Sequence, residues 1–146
     1  MARYTFALKQ LYAMEKVIFH IRREHYRSIL TNGKHEIITD EPAELGGSDL
    51  GLSPIELLIG SLAACTGITL RMYADRKGWL LEEIQVSVSM QYDKHANKNI
   101  IYRHIQFIGD LTQEQQNRLL EIANACPIHK TLQNPIDIIT QHSVPE

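Results

Sequence analysis

Two cysteines, Cys65 and Cys126, are the residues of this sequence best suited to covalent chemistry. A thiolate is a strong nucleophile, and two thiols in one chain can form a reversible disulfide. Cys65 lies in a long apolar segment, far from the predicted start of its helix. Cys126 is followed by His129 and Lys130, whose positive charges could stabilise its thiolate. Purely structural roles are the alternative, and the spacing leaves open whether the two cysteines meet.

No other residue pattern indicates a metal or cofactor site. The seven histidines lack the spacing of metal ligands, and two cysteines cannot form a four-thiolate zinc site. Two cysteines also cannot supply the framework of a disulfide-rich scaffold. We therefore expect neither a metal nor an organic cofactor.

Composition and charge favour a globular protein. The 146 residues are 44% hydrophobic and 22% charged, which excludes disordered and collagen-like classes. The net charge of -2 provides no broad attraction to nucleic acid or anionic lipid. The N-terminal stretch lacks the apolar region of a secretory signal, and the uncharged segment Leu57–Leu70 is too short to span a membrane. We expect a single cytoplasmic domain over residues 1–146.

Helix signals place Cys65 on a long central helix. Ser53, Pro54 and Glu56 combine an N-cap serine, a first-turn proline and a capping-box glutamate. Gly78 is a typical stop signal, so the helix should end near Lys77. Apolar residues cover nearly its whole circumference, which predicts that other elements enclose it.

Strand-forming residues precede this helix. They occupy Lys16–Arg23 and Tyr26–Thr31, and the dipeptide Asn32-Gly33 predicts a turn into a further strand. The glycine-rich segment 43–52 has no apolar period and is expected to form a long surface loop.

Alternating polar and apolar residues return after the helix. Ile84–Tyr92 and Ile100–Ile108 predict a second, longer hairpin. Thr112 is a candidate N-cap of the next helix, and Pro127 should begin a short one. The segment Ile136–Thr140 predicts a final strand. This order of elements indicates an α+β fold with antiparallel pairs around a central helix.

The strings LSPIELLIGSLAACTGITLRMYADRKGW and ACPIHKTL resemble the two cysteine motifs of the OsmC/Ohr family, the osmotically inducible protein C and organic hydroperoxide resistance proteins. The ELGG loop, the length and the order of elements agree, and the resemblance runs from about Tyr26 to about Thr140. It implies an OsmC-like fold in an intertwined homodimer, with hairpins enclosing the apolar helix and two sites at the subunit interface.

The resemblance also implies a thiol peroxidase for alkyl or fatty acyl hydroperoxides that acts in oxidative stress defence. Cys65 matches the cysteine that attacks the hydroperoxide and becomes a sulfenic acid, and Cys126 matches the one that resolves it as a disulfide. An external dithiol, such as a lipoyl protein, would be the reductant. The alternative is a non-peroxidatic dimer that binds a hydrophobic or electrophilic small molecule or acts as a slow redox sensor.

Three residues are candidates for supporting Cys65. In Ohr-type members a glutamate directly follows the motif's proline and helps hold an arginine against the thiolate. Here Ile55 occupies that position, so Glu56 is expected to serve the capping box, and the pKa of Cys65 should stay near ~8.5. Arg27 is the favoured arginine, and His129 is a further candidate. Less specific candidates are Arg22, Arg23 and His35.

Overall fold

The computed structural model describes residues 15–143. The chain divides into two units, one through Leu57 and one from Leu58 onward. The prediction of a single domain over residues 1–146 stays a prediction. Residues 1–14, on which much of the prediction about a secretory signal rests, lie outside the described part.

The first unit contains a small antiparallel sheet. Its strands are β1 (Ile18–Ile21), β2 (Ser28–Thr31) and β3 (Glu36–Thr39), hydrogen-bonded in that order. The predicted hairpin at Asn32-Gly33 is confirmed, and Gly33 takes the left-handed φ of 86° that the turn requires. The first strand is shorter than the strand-forming stretch that predicts it.

The glycine-rich segment after β3 is a loop, as predicted, with a 3-10 helix over Ala43–Leu45. Buried Asp40 organises this loop, because its carboxylate accepts four backbone N–H bonds. Burial opposes ionisation, but these bonds outweigh it and lower the pKa of Asp40. Gly47 is required here, since a Cβ would lie 1.9 Å from the Glu41 carbonyl oxygen. The four donors to Asp40 are the amides of Tyr26, Glu41, Ser48 and Leu50.

Helix α1 (Pro54–Lys77) has the predicted boundaries. Its capping box is formed: the Ser53 amide and hydroxyl donate to Glu56 Oε2 at 2.8 and 2.9 Å, and the Glu56 amide donates back to Ser53 Oγ at 3.4 Å. Gly78, with φ of 66°, ends the helix.

The second unit contains the remaining elements. Strands β4 (Leu80–Asp93) and β5 (Lys98–Asp110) form the predicted antiparallel hairpin, followed by α2 (Gln113–Ala123) and α3 (Pro127–Gln133). The predicted cap at Thr112 is confirmed as a capping box with Gln115. The arrangement is the predicted α+β class. The core of this unit contains Leu70, Tyr73, Ala74, Leu81, Leu119, Ile122 and Ala123.

Within the single chain, other elements cover only part of the circumference of α1. Leu62, Thr66 and Leu70 lie one turn apart and form a buried stripe. On other faces, Ile68 is 61% and Met72 is 62% exposed, while the part of α1 that joins the core of the second unit is Leu70, Tyr73 and Ala74. By length and composition α1 could also cross a membrane, although core helices of soluble proteins share these properties.

The predicted strand at Ile136–Thr140 is wrong. These residues have no strand assignment, and within residues 15–143 no strand pairs with them. Ile138 is 86% and Ile139 is 84% exposed. Strand-forming side chains are not sufficient, since a strand needs a neighbour for its backbone hydrogen bonds.

Candidate active site

Cys65 and Cys126 are in contact within the chain. Cys65 is half-buried on α1, Cys126 is buried between α2 and α3, and both thiols are free. The two thiols are hydrogen-bonding neighbours, and this interaction is among the causes that raise the pKa of Cys65. The sequence spacing left open whether the two cysteines meet, and the structure places them in contact.

The junction between α2 and α3 positions Cys126. Its amide donates to the Ala123 carbonyl at 3.4 Å, and its own carbonyl accepts the Lys130 amide at 3.2 Å. Pro127 has no N–H, so the first amide of α3 available for bonding is that of Ile128. This amide donates to the sulfur of Cys65. The start of α3 therefore contacts both cysteines.

The pKa of the Cys65 thiol is raised above its ordinary value. Burial is the largest cause, and the hydrogen bond and charge interaction with Cys126 act in the same direction. The Ile128 amide and the Thr69 hydroxyl oppose the shift by donating to the sulfur. Within residues 15–143, none of the groups that shift this pKa is a cation. The direction agrees with the expectation of weak thiolate support.

Arg103 is a site residue that the sequence reasoning missed. It lies on β5, and its guanidinium bonds Thr66, which follows Cys65, and the end of α2 just before Cys126. A signal was available, because strand alternation places Arg103 on the same face as Ile101 and Ile105. A charged residue on an otherwise apolar strand face indicates a specific partner.

His129 lies on α3 beside the charge of Arg103. Burial lowers the pKa of this half-buried imidazole, the Arg103 charge lowers it further, and a hydrogen bond with Gln133 partly offsets both. The imidazole is therefore neutral at neutral pH. A role for His129 near Cys126 would be that of a neutral group rather than a cation.

A cavity of about 390 Å³ opens in the second unit next to these side chains. It combines apolar residues with basic and amide groups, so it suits a ligand with an apolar part and a polar or anionic part. Its lining consists of Leu62, Lys98, Asn99, Ile100, Ile101, Arg103, His129, Leu132 and Gln133.

Arg27 and Glu56 belong to the first unit. Arg27 is exposed and lies directly before β2. The Glu56 carboxylate is engaged by Ser53, whose amide and hydroxyl lower its pKa. This agrees with the expected capping role. Across residues 15–143, no cluster of three or more histidine, cysteine or acidic side chains could hold a metal ion.

Sequence comparison identifies one family. Residues 46–141 match the family described as OsmC-like protein, a range that includes both cysteines, Arg103 and all of α1. Among curated protein sequences, none matches this chain.

Solved structures with the same fold are numerous, and three illustrate the range. An OsmC-like protein from Mycoplasma pneumoniae has a TM-score of 0.71 at 17% identity, covering 84% of this chain and 89% of that one. The organic hydroperoxide resistance protein OhrB of Bacillus subtilis has a TM-score of 0.58 at 23% sequence identity, and the match covers 86% of this chain and 96% of that one. An organic hydroperoxide resistance protein OsmC from Legionella pneumophila has a TM-score of 0.60 at 23% sequence identity, and the match covers 83% of this chain and 91% of that one. At these identities the similarity shows the fold.

Proposed function

The chain belongs to the OsmC-like family, and from this premise we propose that it is a thiol-dependent peroxidase that reduces organic hydroperoxides in oxidative stress defence. The observation that carries the proposal is the contact between Cys65 and Cys126 within one chain. A sulfenic acid formed on either sulfur would find a second thiol beside it without a large rearrangement.

In the first step, the Cys65 thiolate attacks the terminal oxygen of the hydroperoxide. The O–O bond breaks, the alkoxide leaves and is protonated to the alcohol, and Cys65 becomes a sulfenic acid. Hydrogen bonds from the Ile128 amide and the Thr69 hydroxyl support the thiolate form of Cys65.

In the second step, the Cys126 sulfur attacks the Cys65 sulfenic acid. The S–O bond breaks, a disulfide forms, and the oxygen leaves as water with the proton from Cys126. An external dithiol of the lipoyl type then reduces the disulfide by exchange and becomes a disulfide itself. No metal or organic cofactor is needed in this sequence of steps.

The surroundings of Cys65 favour organic hydroperoxides over hydrogen peroxide. The cysteine lies on an apolar helix, and the cavity beside Arg103 and His129 has Leu62, Ile100, Ile101 and Leu132 as its apolar part. Each methylene that a substrate buries contributes about 0.8 kcal/mol, so an alkyl or fatty acyl chain gains affinity that hydrogen peroxide cannot. We further propose a cytoplasmic homodimer, in which a second copy covers the exposed apolar residues of α1.

A second candidate is a non-peroxidatic OsmC-like protein that binds a hydrophobic or electrophilic small molecule or senses redox state slowly. The raised pKa of Cys65 favours it, because a thiol reacts with peroxide far more slowly than a thiolate. Among the described residues 15–143, the groups that shift this pKa include no cation, which points the same way.

Peroxide consumption distinguishes the two candidates. Cumene hydroperoxide and hydrogen peroxide are each supplied with dihydrolipoamide and, separately, with a monothiol. The peroxidase proposal requires catalytic consumption of cumene hydroperoxide with the dithiol, slower consumption of hydrogen peroxide, and loss of activity in Cys65→Ser. Consumption no faster than that of Cys65→Ser would contradict it and favour the second candidate.

A further inference from the structure

Arg103 carries a charge on the apolar face of β5. Its side chain is half-buried, and its neighbours on that face, Ile101 and Ile105, are apolar. An arginine is rarely buried without specific partners, because removing the guanidinium from water is costly. The contacts of this side chain therefore explain its position.

The partners of Arg103 belong to the two segments that carry the cysteines. Nη1 donates to Thr66 Oγ1 at 2.9 Å, and the buried Thr66 directly follows Cys65 on α1. Nη1 also donates to the Ala123 carbonyl at 3.1 Å. That same carbonyl accepts the backbone amide of Cys126. One side chain thus connects the residue after Cys65 to the acceptor that holds Cys126.

A third bond fixes the orientation of the guanidinium. Nη2 donates to Asn124 Oδ1 at 2.9 Å, at the residue that follows α2. Within residues 15–143 the ion pairs between side chains do not include Arg103. Its charge instead faces carbonyl and amide oxygens at the C-terminal end of α2, where the helix dipole favours a cation. The planar fork of arginine suits such divergent acceptors better than the point charge of lysine.

We infer that Arg103 is a positioning residue that holds Cys126 beside Cys65 and thereby sets the rate and the equilibrium of disulfide formation between them. It contacts neither sulfur in this role. Only the peroxide-dependent part of the inference rests on the proposed function, because disulfide formation can also be driven by oxidised glutathione. In that reaction Cys65 and Cys126 lose two electrons and two protons, and one oxidised glutathione becomes two reduced ones.

The consequence for peroxide chemistry is a competition at the Cys65 sulfenic acid. Attack by Cys126 gives the disulfide, whereas a second hydroperoxide gives the sulfinic acid. A displaced Cys126 would slow the first reaction and leave the second unchanged. Loss of Arg103 should therefore increase the fraction of Cys65 sulfenic acid that is overoxidised to sulfinic acid, measured per sulfenic acid formed.

The test compares full-length Arg103→Gln and Arg103→Lys with the wild-type protein in glutathione redox buffers. Alkylation followed by mass spectrometry gives the fraction of Cys65–Cys126 disulfide at each ratio of oxidised to reduced glutathione. We expect Arg103→Gln to lower the equilibrium constant about tenfold, the size expected from one lost charge-assisted hydrogen bond. Arg103→Lys should fall between Arg103→Gln and the wild type, since it restores the charge without the fork.

Arg71 offers a matched control. This arginine also donates to backbone carbonyls, those of Leu81 and Glu82, and it has an ion pair with Asp75. Arg71→Gln should leave the disulfide equilibrium at the wild-type value. An equal decrease in Arg71→Gln and Arg103→Gln would overturn the inference, because the effect would then reflect general loss of stability.

A milder variant keeps the test decisive if Arg103→Gln fails to fold. Asn124→Ala removes one exposed acceptor of the guanidinium and should lower the equilibrium constant by a few fold. An equilibrium constant for the Cys65–Cys126 disulfide within twofold of wild type, in every folded Arg103 and Asn124 variant, would overturn the inference. If the wild-type protein consumes no hydroperoxide but these variants still shift the equilibrium, the proposed function fails and the inference stands.

Discussion

Opposing groups act on the sulfur of Cys65. Burial and the neighbouring Cys126 favour the neutral thiol, while the Ile128 amide and the Thr69 hydroxyl favour the thiolate. The balance raises the pKa, so the thiolate fraction increases only as the pH passes above the ordinary range of a cysteine. Reactivity at neutral pH therefore depends on a small thiolate population.

Two substitutions should move the pKa of Cys65 in opposite directions. Cys126→Ala removes a group that raises it, so the pH at which iodoacetamide alkylation of Cys65 accelerates should fall. Thr69→Val removes a hydroxyl that lowers it, so that pH should rise. The measurement is the alkylation rate of the Cys65 peptide against pH, read by mass spectrometry.

Two outcomes would contradict this account of Cys65. Shifts of the same sign in both variants would show that these contacts do not control the thiol. An inflection below about pH 6 in the wild-type protein would show that a cation already holds the thiolate, which would favour an efficient peroxidase.

The residues at the ends of the helices fix the geometry of the site. The capping box at Ser53 fixes the first turn of α1, and the turn between α2 and α3 directs Cys126 and the Ile128 amide toward Cys65. Glu56 belongs to this capping box, where its Oε2 accepts both the amide and the hydroxyl of Ser53. We therefore expect Glu56 to affect stability rather than chemistry.

Glu56→Gln should lower the free energy of unfolding with little change in peroxidase rate. Bonds from Ser53 lower the pKa of Glu56 in the folded state. The contribution of ionised Glu56 to the free energy of unfolding is therefore present above the unfolded pKa of about 4.5 and is lost as the pH falls through the folded pKa. The difference between wild type and variant should thus shrink as the pH falls below about 5 and through the lowered folded pKa. Denaturant unfolding across this pH range provides the measurement.

Glu114→Gln is the control, since Glu114 also lies in the first turn of a helix but accepts no bond from a cap residue. If it reproduced the full pH-dependent effect of Glu56→Gln, the capping bonds would not be its cause. A large fall in peroxidase rate in Glu56→Gln, with stability unchanged, would place Glu56 in the chemistry.

The single chain leaves much of its apolar surface open. Exposed residues on α1, such as Ile68 and Met72, form an uncovered apolar face of a kind that soluble monomers rarely keep. A symmetric dimer is the commonest way to cover such a face. The homodimer implied by the family resemblance therefore has a physical reason in this chain.

The homodimer proposal predicts a dimeric mass by light scattering that persists on dilution to micromolar concentration. Met72→Glu should weaken or abolish the dimer, because a carboxylate would be buried against apolar residues. Gln106→Glu, on the exposed polar face of β5, adds the same charge and should leave the dimer intact. A folded wild-type monomer at micromolar concentration would contradict the proposal.

The sequence predicted those helices and strands whose signals lie within the element or directly beside it. The proline and capping residues before α1, Gly78 after it, and the alternation in β4 and β5 each act within a few residues. The final strand failed because pairing depends on a distant partner that the segment does not specify. The charge of Arg103 on an apolar strand face was visible in the sequence, but its acceptors could not be predicted because they lie 20 or more residues away.

The most direct test of the central claim is the product of one oxidation cycle. The protein is treated with stoichiometric cumene hydroperoxide and analysed by mass spectrometry, in parallel with Cys126→Ser. The account predicts a loss of two hydrogens and a peptide linking Cys65 to Cys126 within one chain, and a sulfenic acid at Cys65 in the variant. Free thiols that persist in the wild-type protein, or disulfides only between chains, would contradict it.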